Sequence, residues 1–166
     1  MNNLIHVYMK QLLTRNEPGK SMTDIVVAGM GGMLAISIIV VLSKASGNVL
    51  LMAPFGATCV LLFSVPDSPL SQPANVMGGH VVSTLVGLLA YTLLPVEWWS
   101  MGLAVGLAIS AMAALRITHP PAGADPLVVM LSGPGWEYLL FPVATGSLSL
   151  VVIANLFRQI PVNRKT

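Results

Sequence analysis

Charge is what this chain has least of. Of its 166 residues only 8% are Asp, Glu, Lys or Arg, while 55% are hydrophobic, and mean hydropathy is +0.81. Such a balance cannot solvate the surface of a water-soluble domain and places the chain among integral membrane proteins. Eight bases and six acids nearly cancel, and the bases gather at the two ends. No basic face is left for nucleic acid; anchoring to lipid headgroups explains the bases better. The single cysteine, Cys59, sits inside an apolar run, which excludes a disulfide framework and a Cys-based metal site and suits a small buried hydrophobe. No His-x-x-x-His or carboxylate spacing fits a metal, and no Gly-Lys-Ser/Thr loop fits a phosphate. No nucleophile, base and orienting group can be paired, so an enzyme is not expected and no cofactor is implied. The first twenty residues lack the apolar core and cleavage site of a signal peptide, so the mature chain is expected to begin at Met1. There Leu4, Ile5, Tyr8 and Leu12 recur at helical spacing, which predicts an interfacial amphipathic segment over residues 1–20.

What is present is long apolar runs punctuated by proline and glycine. Ile25 to Leu42, Ala74 to Leu94, Trp98 to Leu115 and Tyr138 to Phe157 are the candidate spans, the last two closed by Arg116 and Arg158. Lys10, Arg15 and Lys20 at one end, with Arg158, Arg164 and Lys165 at the other, predict that both termini face the cytoplasm across the cell's inner membrane. Ala53 to Val65 and Pro120 to Leu131 are about half the length a helix needs to cross. They also resemble each other: "PFGATCVLLF" from Pro54 and "PAGADPLVVM" from Pro121 share Pro-x-Gly-Ala, a polar residue and an apolar run. The expected architecture is an all-α membrane protein of four transmembrane helices plus two short half-helices, arranged as two tandem repeats. The repeats cover 24–95 and 97–158 within one membrane domain over 21–158, followed by a basic tail over 159–166. Half-helices that leave by the face they entered make the repeats parallel; half-helices that cross make six spans and inverted repeats. The re-entrant, four-span form is expected, although Arg116 leans to the other.

Repeated Gly/Pro-interrupted segments are the pattern that marks a transport site. Proline suits a first helical turn, and the following glycine lets a ligand approach the N–H groups of Gly56, Ala57 and Thr58, or of Gly123, Ala124 and Asp125. A helix N-terminus inside a membrane favours an anion. Asp125 is the sole acid within an apolar segment: it either caps its own helix, pairs with Arg116 or His119, or gains and loses a proton as cargo moves. His119 stands at the mouth of the second half-helix, in the extended conformation that the next proline imposes. His80, near the start of the second span, either bonds a neighbouring helix or lines a polar path. Gln72 and Asn75 lie beside the first half-helix and either cap loops or guide a small polar solute. Gly79, Ser83 and Gly87, and Gly102, Gly106 and Ser110, recur at helical spacing and read as packing stripes.

The stretch "THPPAGAD", from Thr118 to Asp125, resembles the signature of the HPP family of integral membrane proteins, with His119, Pro120 and Pro121 as its His-Pro-Pro. "APFGATCVLLF" and "SPLSQPANVMGGH" resemble the family's other recurring blocks, so the likeness covers nearly the whole membrane region. The resemblance implies four spans and, since some plastid and cyanobacterial members are associated with nitrite transport, a transporter or channel for a small anion. Ala74 departs from a basic residue common there, which weakens nitrite as cargo, and a CBS-domain extension carried by some relatives is not expected. Together these readings predict a passive or proton-coupled path for a small monovalent anion, nitrite first, lined by the half-helix starts, His119, His80 and Asn75. Four spans are few for a private path, so a homo-oligomer in contact with membrane lipids is expected. The rivals are a transporter of another solute that binds at Asp125, and a non-transporting membrane assembly subunit.

Overall fold

The computed structural model describes residues 9–160, and among them all regular structure is helical. Leu4, Ile5 and Tyr8 of the expected interfacial segment lie outside the described residues, as do Arg164 and Lys165 of the tail; residues 9–13 are helical, with Leu12 exposed. The helices are α1 (Met22–Ser46), α2 (Pro54–Ser64), α3 (Pro73–Leu93), α4 (Trp98–Ala114), α5 (Asp125–Ser132) and α6 (Thr145–Arg158). Single 3-10 turns at Pro69–Ser71, Pro120–Ala124 and Trp136–Leu139 link them, and a π turn at Leu140–Ala144 runs into α6. Local chemistry sets the boundaries. Ser21 caps α1 by accepting from the Asp24 N–H, and Gly47, at φ 71°, ends it. Proline opens α2 and α3, while Glu97 and Ser100 form a capping box on α4. Three stretches are long and apolar enough to cross a bilayer: α1, α3 and Trp136–Arg158. The 17-residue α4 is apolar but shorter, about 25 Å.

Cross-chain contacts give the direction of each helix. At one end of the bundle the Lys20 ammonium donates to the Ser64 carbonyl at 2.9 Å and the Arg158 guanidinium to the Leu62 carbonyl at 3.1 Å. Two cations on the last carbonyls of α2 suit the negative end of its dipole. Ser71 reaches the Leu61 carbonyl and Asn75 the Thr118 carbonyl, so the start of α3 and the end of α4 lie there too. At the opposite end the Tyr138 hydroxyl meets the Met52 sulfur, and the Tyr91 ring packs on Gly133. Successive helices therefore alternate in direction, the two short ones included.

Half-helices that dip in and out at one face were expected; in the structure the two short helices, α2 and α5, each run opposite to the helix before them. α2 carries the chain back to the end from which α1 set out, and α5 carries it the other way. The physical reason is the irregular stretch over 47–53. Seven residues of open chain span up to about 23 Å, which with the ~16 Å of an 11-residue helix covers the bundle's length. Leu50 and Met52 of that stretch are buried, and the Leu50 N–H is met by the Ser43 hydroxyl, whereas residues 47–49 at its start are exposed.

The two halves make corresponding contacts. Pro54 and Pro121, Thr58 and Asp125, Leu50 and Ile117, and Gly79 and Gly146 are each 67 residues apart. A Cβ on Gly79 would meet the Ile117 carbonyl at 3.2 Å and the His119 Cβ at 2.6 Å, and one on Gly146 would meet the Leu50 carbonyl and the Phe55 ring. In the same sense α2 packs on α1 and α6, while α5 packs on α4 and α3. Phe55, Ile39, Leu62, Val143 and Leu150 fill the space between α1, α2 and α6, with Cys59 in the same cluster as the sequence suggested. Of the two small-residue stripes, Gly79, Ser83 and Gly87 are buried at helix crossings, whereas Gly102 and Gly106 face outward with nothing within 4 Å of an added Cβ.

A Cβ on Gly87 would lie 2.9 Å from the Pro126 Cα, so Gly87→Ala must push α5 off α3, at about 1–3 kcal/mol for an overpacked contact. Thermal melting in detergent should record a lower midpoint for Gly87→Ala and no drop for Gly102→Ala.

Candidate functional site

Where α2, α3 and the 119–125 segment meet, five polar side chains are withdrawn almost completely from the surface: Thr58, His80, Thr84 and His119 at 0% exposure and Asp125 at 1%. Each arrives there by a local rule. His119 precedes Pro120 and is held extended, at φ −134° and ψ 103°, which turns its ring inward ahead of the 3-10 turn. His80 lies seven residues into α3, about 10 Å along the helix, and Thr84 follows one turn later on the same face. Thr58 is one turn into α2, and Asp125 is the first residue of α5. Gly79 lets the His119 backbone lie against α3.

These groups form one continuous hydrogen-bonded chain. His119 Nδ1 meets the Leu70 carbonyl at 2.8 Å, and its Nε2 meets Thr58 Oγ1 at 3.0 Å. Thr58 Oγ1 also meets His80 Nε2 at 2.8 Å, and His80 Nδ1 meets Asp125 Oδ2 at 2.8 Å. The Thr84 hydroxyl donates to the same Asp125 oxygen at 3.3 Å, while Asp125 Oδ1 is buried without a partner. The imidazole rings stand edge to face with centroids 5.0 Å apart, and Phe55 closes the other side of His80 at 5.2 Å. Thr58 and Asp125, the matching polar residues of the two Pro-x-Gly-Ala segments, thus grip opposite nitrogens of one histidine.

Asp125 has a different partner from any the sequence offered. Its Oδ2 turns to His80 and Thr84 on α3 and its Oδ1 bonds nothing, so it does not cap its own helix. Arg116 is exposed at the end of the bundle, with a left-handed φ of 59°, and both nitrogens of His119 are taken by other groups. The expected free donors at the half-helix starts are also fewer. The Gly56 N–H is bonded to the Ala53 carbonyl at 3.2 Å, and the Asp125 N–H to the Ala122 carbonyl, because a turn precedes each helix.

The remaining candidates are spread around the chain. Ala57 and Ala124 are exposed and line one groove, Gly56 is exposed on another groove, and Gly123 is half-buried. The Asn75 amide donates to the Thr118 carbonyl at 3.0 Å and so ties α3 to the loop carrying His119. Gln72 bonds the Pro66 and Ser68 carbonyls, the ordinary loop-capping role. Sequence reading missed Thr84, the Leu70 carbonyl, and Ser83 as a donor to the Ala122 carbonyl at 2.6 Å. The position of Thr84 four residues after His80 was the available signal for it.

Thr58→Val keeps the shape of the side chain but leaves both Nε2 atoms facing an apolar surface, at about 1–3 kcal/mol for each group left unpaired. The melting temperature should fall clearly for this variant and remain near that of the parent for Thr58→Ser, which keeps the hydroxyl.

The chain is 38% identical over 127 residues to one transmembrane protein of Dictyostelium discoideum, covering 71% of this chain and 40% of that protein. A second transmembrane protein of the same organism is 34% identical over 113 residues, 63% of this chain and 39% of the relative. The chain therefore spans about 40% of the length of these curated relatives. No solved structure matches it. The profile of the HPP transmembrane region matches residues 17–166, and the chain belongs to the HPP family of membrane proteins.

Proposed function

We propose that this protein is a transporter or channel for a small monovalent anion, with nitrite the first candidate. The observation that carries the reading is the meeting of the two short helices: their first turns converge on one buried polar chain in an otherwise apolar bundle. Two positive dipole ends directed at one place favour negative charge without a fixed base that would trap it. Beside that meeting point lies an open groove of about 660 Å³. Its walls pair Ala53 with Pro120, Pro54 with Pro121, Ala57 with Ala124 and Leu61 with Val128, each pair again 67 residues apart. The groove thus follows the line relating the two halves, with Thr58 and Asp125 directly behind Ala57 and Ala124.

In this reading the alternating helices form two inverted repeats that together make six crossings, a form common among transporters built from broken helices. Arg15, Lys20, Arg116 and Arg158 gather at the end that holds the start of α1 and the end of α6, which supports a cytoplasmic position for both termini in the inner membrane. A second copy closes the open side of the groove, making the working unit a homo-oligomer. Nitrite as cargo comes from the HPP relatives associated with its transport; the Dictyostelium proteins are named only as transmembrane proteins. A second reading, another small solute bound by Asp125, is favoured by its unpartnered, buried Oδ1.

Uptake into liposomes containing only this protein tests the proposal. Nitrite should enter faster than into protein-free vesicles and be competed by other small monovalent anions. His80→Ala should slow it by roughly tenfold or more, the scale of losing a hydrogen bond worth about 1.5 kcal/mol. Competition by cations but not by anions would favour the second reading, and no uptake of any solute would leave a structural membrane subunit.

A further inference from the structure

The buried chain can be counted for hydrogens. In order its members are the Leu70 carbonyl, His119, Thr58, His80 and Asp125, and the four contacts between them require four hydrogens. A neutral imidazole brings one, a hydroxyl one, and an ionised carboxylate none. Two neutral histidines, Thr58 and an ionised Asp125 therefore supply only three. The shortfall can be followed along the chain. The Leu70 carbonyl only accepts, so His119 Nδ1 carries a hydrogen, and Nε2 of the neutral ring accepts from Thr58. The threonine hydroxyl has one hydrogen and has now used it, so His80 must donate from Nε2. His80 Nδ1 is then an acceptor, and the carboxyl of Asp125 must be the donor that faces it.

The fourth hydrogen is thus a dissociable proton, and it has more than one home. With Asp125 ionised and His80 doubly protonated, every contact is still filled. Passing one hydrogen from His80 to Thr58 and another from Thr58 to His119 moves the charge to His119, and again every contact is filled. In all three arrangements the net charge is zero. Removing the proton leaves one contact with lone pairs on both sides and an uncompensated negative charge at a site with essentially no exposure.

The unpartnered Asp125 Oδ1 points the same way, since a neutral carboxyl tolerates a bare oxygen far better than a carboxylate does. The Thr84 contact leaves the count unchanged, because Thr84 brings its own hydrogen to Oδ2 at 3.3 Å; the Pro54 carbonyl, 3.3 Å from the Thr58 hydroxyl, competes for that one hydrogen, and the count assigns it to the imidazoles, which are nearer at 2.8 and 3.0 Å. The titratable groups facing Asp125 are His80 from α3, His119 through Thr58, and the Tyr138 phenol from the Trp136–Leu139 turn. Neither α4 nor α6 places a titratable residue between its ends, and Lys20 and Arg158 are held at the far end of α2.

We propose that this chain binds one proton that crosses with the anion, making the protein an electroneutral one-proton, one-anion symporter. The inference deepens the transport reading above and rests on it. An ionised Asp125 directly behind the groove would repel the cargo; with the proton bound, the site is neutral and the two dipole ends dominate. One proton is taken from water on one side and returned to water on the other, together with one anion.

The test has two arms on the full chain. In liposomes, with passive entry of nitrous acid subtracted using protein-free vesicles, an inward acid gradient at zero voltage should drive nitrite accumulation with one proton per anion. Asp125→Asn, whose amide donates to His80 Nδ1 without a dissociable proton, should lose that gradient-driven accumulation. Uptake driven by voltage and indifferent to the pH gradient, or unchanged coupling in the variant, overturns the symport while leaving anion transport standing. The second arm needs no flux. Above the ordinary histidine range of about 6.5, the folded chain holds one more proton than the unfolded one, so the melting temperature should fall as pH rises. Asp125→Asn should melt no lower than the parent at neutral pH and vary less with pH. Equal pH dependence in both overturns the proton count, whereas no anion flux under any gradient overturns the transport reading and the symport together, with the melting arm still deciding the count.

Discussion

A polar side chain enclosed in a bundle that faces lipid has no water to fall back on, so its partners must come from the protein. Around His80 this requirement organises the molecule. One nitrogen takes Thr58 from α2 and the other takes Asp125 from α5, so a ring on α3 fixes the height and rotation of both short helices. Neither could come so close without the glycines of α3. Gly79 admits the backbone around His119, and Gly87 admits Pro126 at the start of α5. The small-residue stripe on α3 and the buried polar chain are thus two halves of one arrangement: the first provides the approach, the second the reason for it.

The matched halves have diverged at the positions that matter. Gly79 and Gly146 keep the same close passage of backbone, and Pro54 and Pro121 keep the same helix start. Yet the position 67 residues after His80 is Ser147, which bonds the Ala144 carbonyl of its own helix, and the position 67 before His119 is Met52. Of the two matched backbone passages, the one at Gly79 therefore carries a histidine and the one at Gly146 an apolar contact with Phe55.

The alternation of helix direction follows from the same economy of backbone. A half-helix is too short to cross, and the open stretch that completes the passage is costly in lipid unless buried. Leu50 and Met52 are covered by α1 and α6, and the Ser43 hydroxyl takes the Leu50 N–H. The last carbonyls of α2 are closed by Lys20 and Arg158, which brings distant parts of the chain to a common end.

What the sequence determined by itself is what local chemistry controls: the apolar runs that become the long helices, the proline starts of the two short segments at Pro54 and Pro120, the likeness of the two Pro-x-Gly-Ala segments, and four of the five buried polar groups, Thr58, His80, His119 and Asp125. Tertiary structure decided the pairings and the directions. The sequence offered Asp125 its own helix, Arg116 or His119 as partners, and the one it takes instead, His80, lies 45 residues away on a face that only helix packing presents to it. Thr58 looked like a backbone donor at a helix start and is instead the hydroxyl that joins two histidines. The direction of the short helices depends on the stretch over 47–53, because hydropathy measures how apolar a segment is but not how far an extended chain reaches. Hydrogen-bond partners in a dry interior are chosen by geometry between segments, and periodicity along one segment carries no record of it.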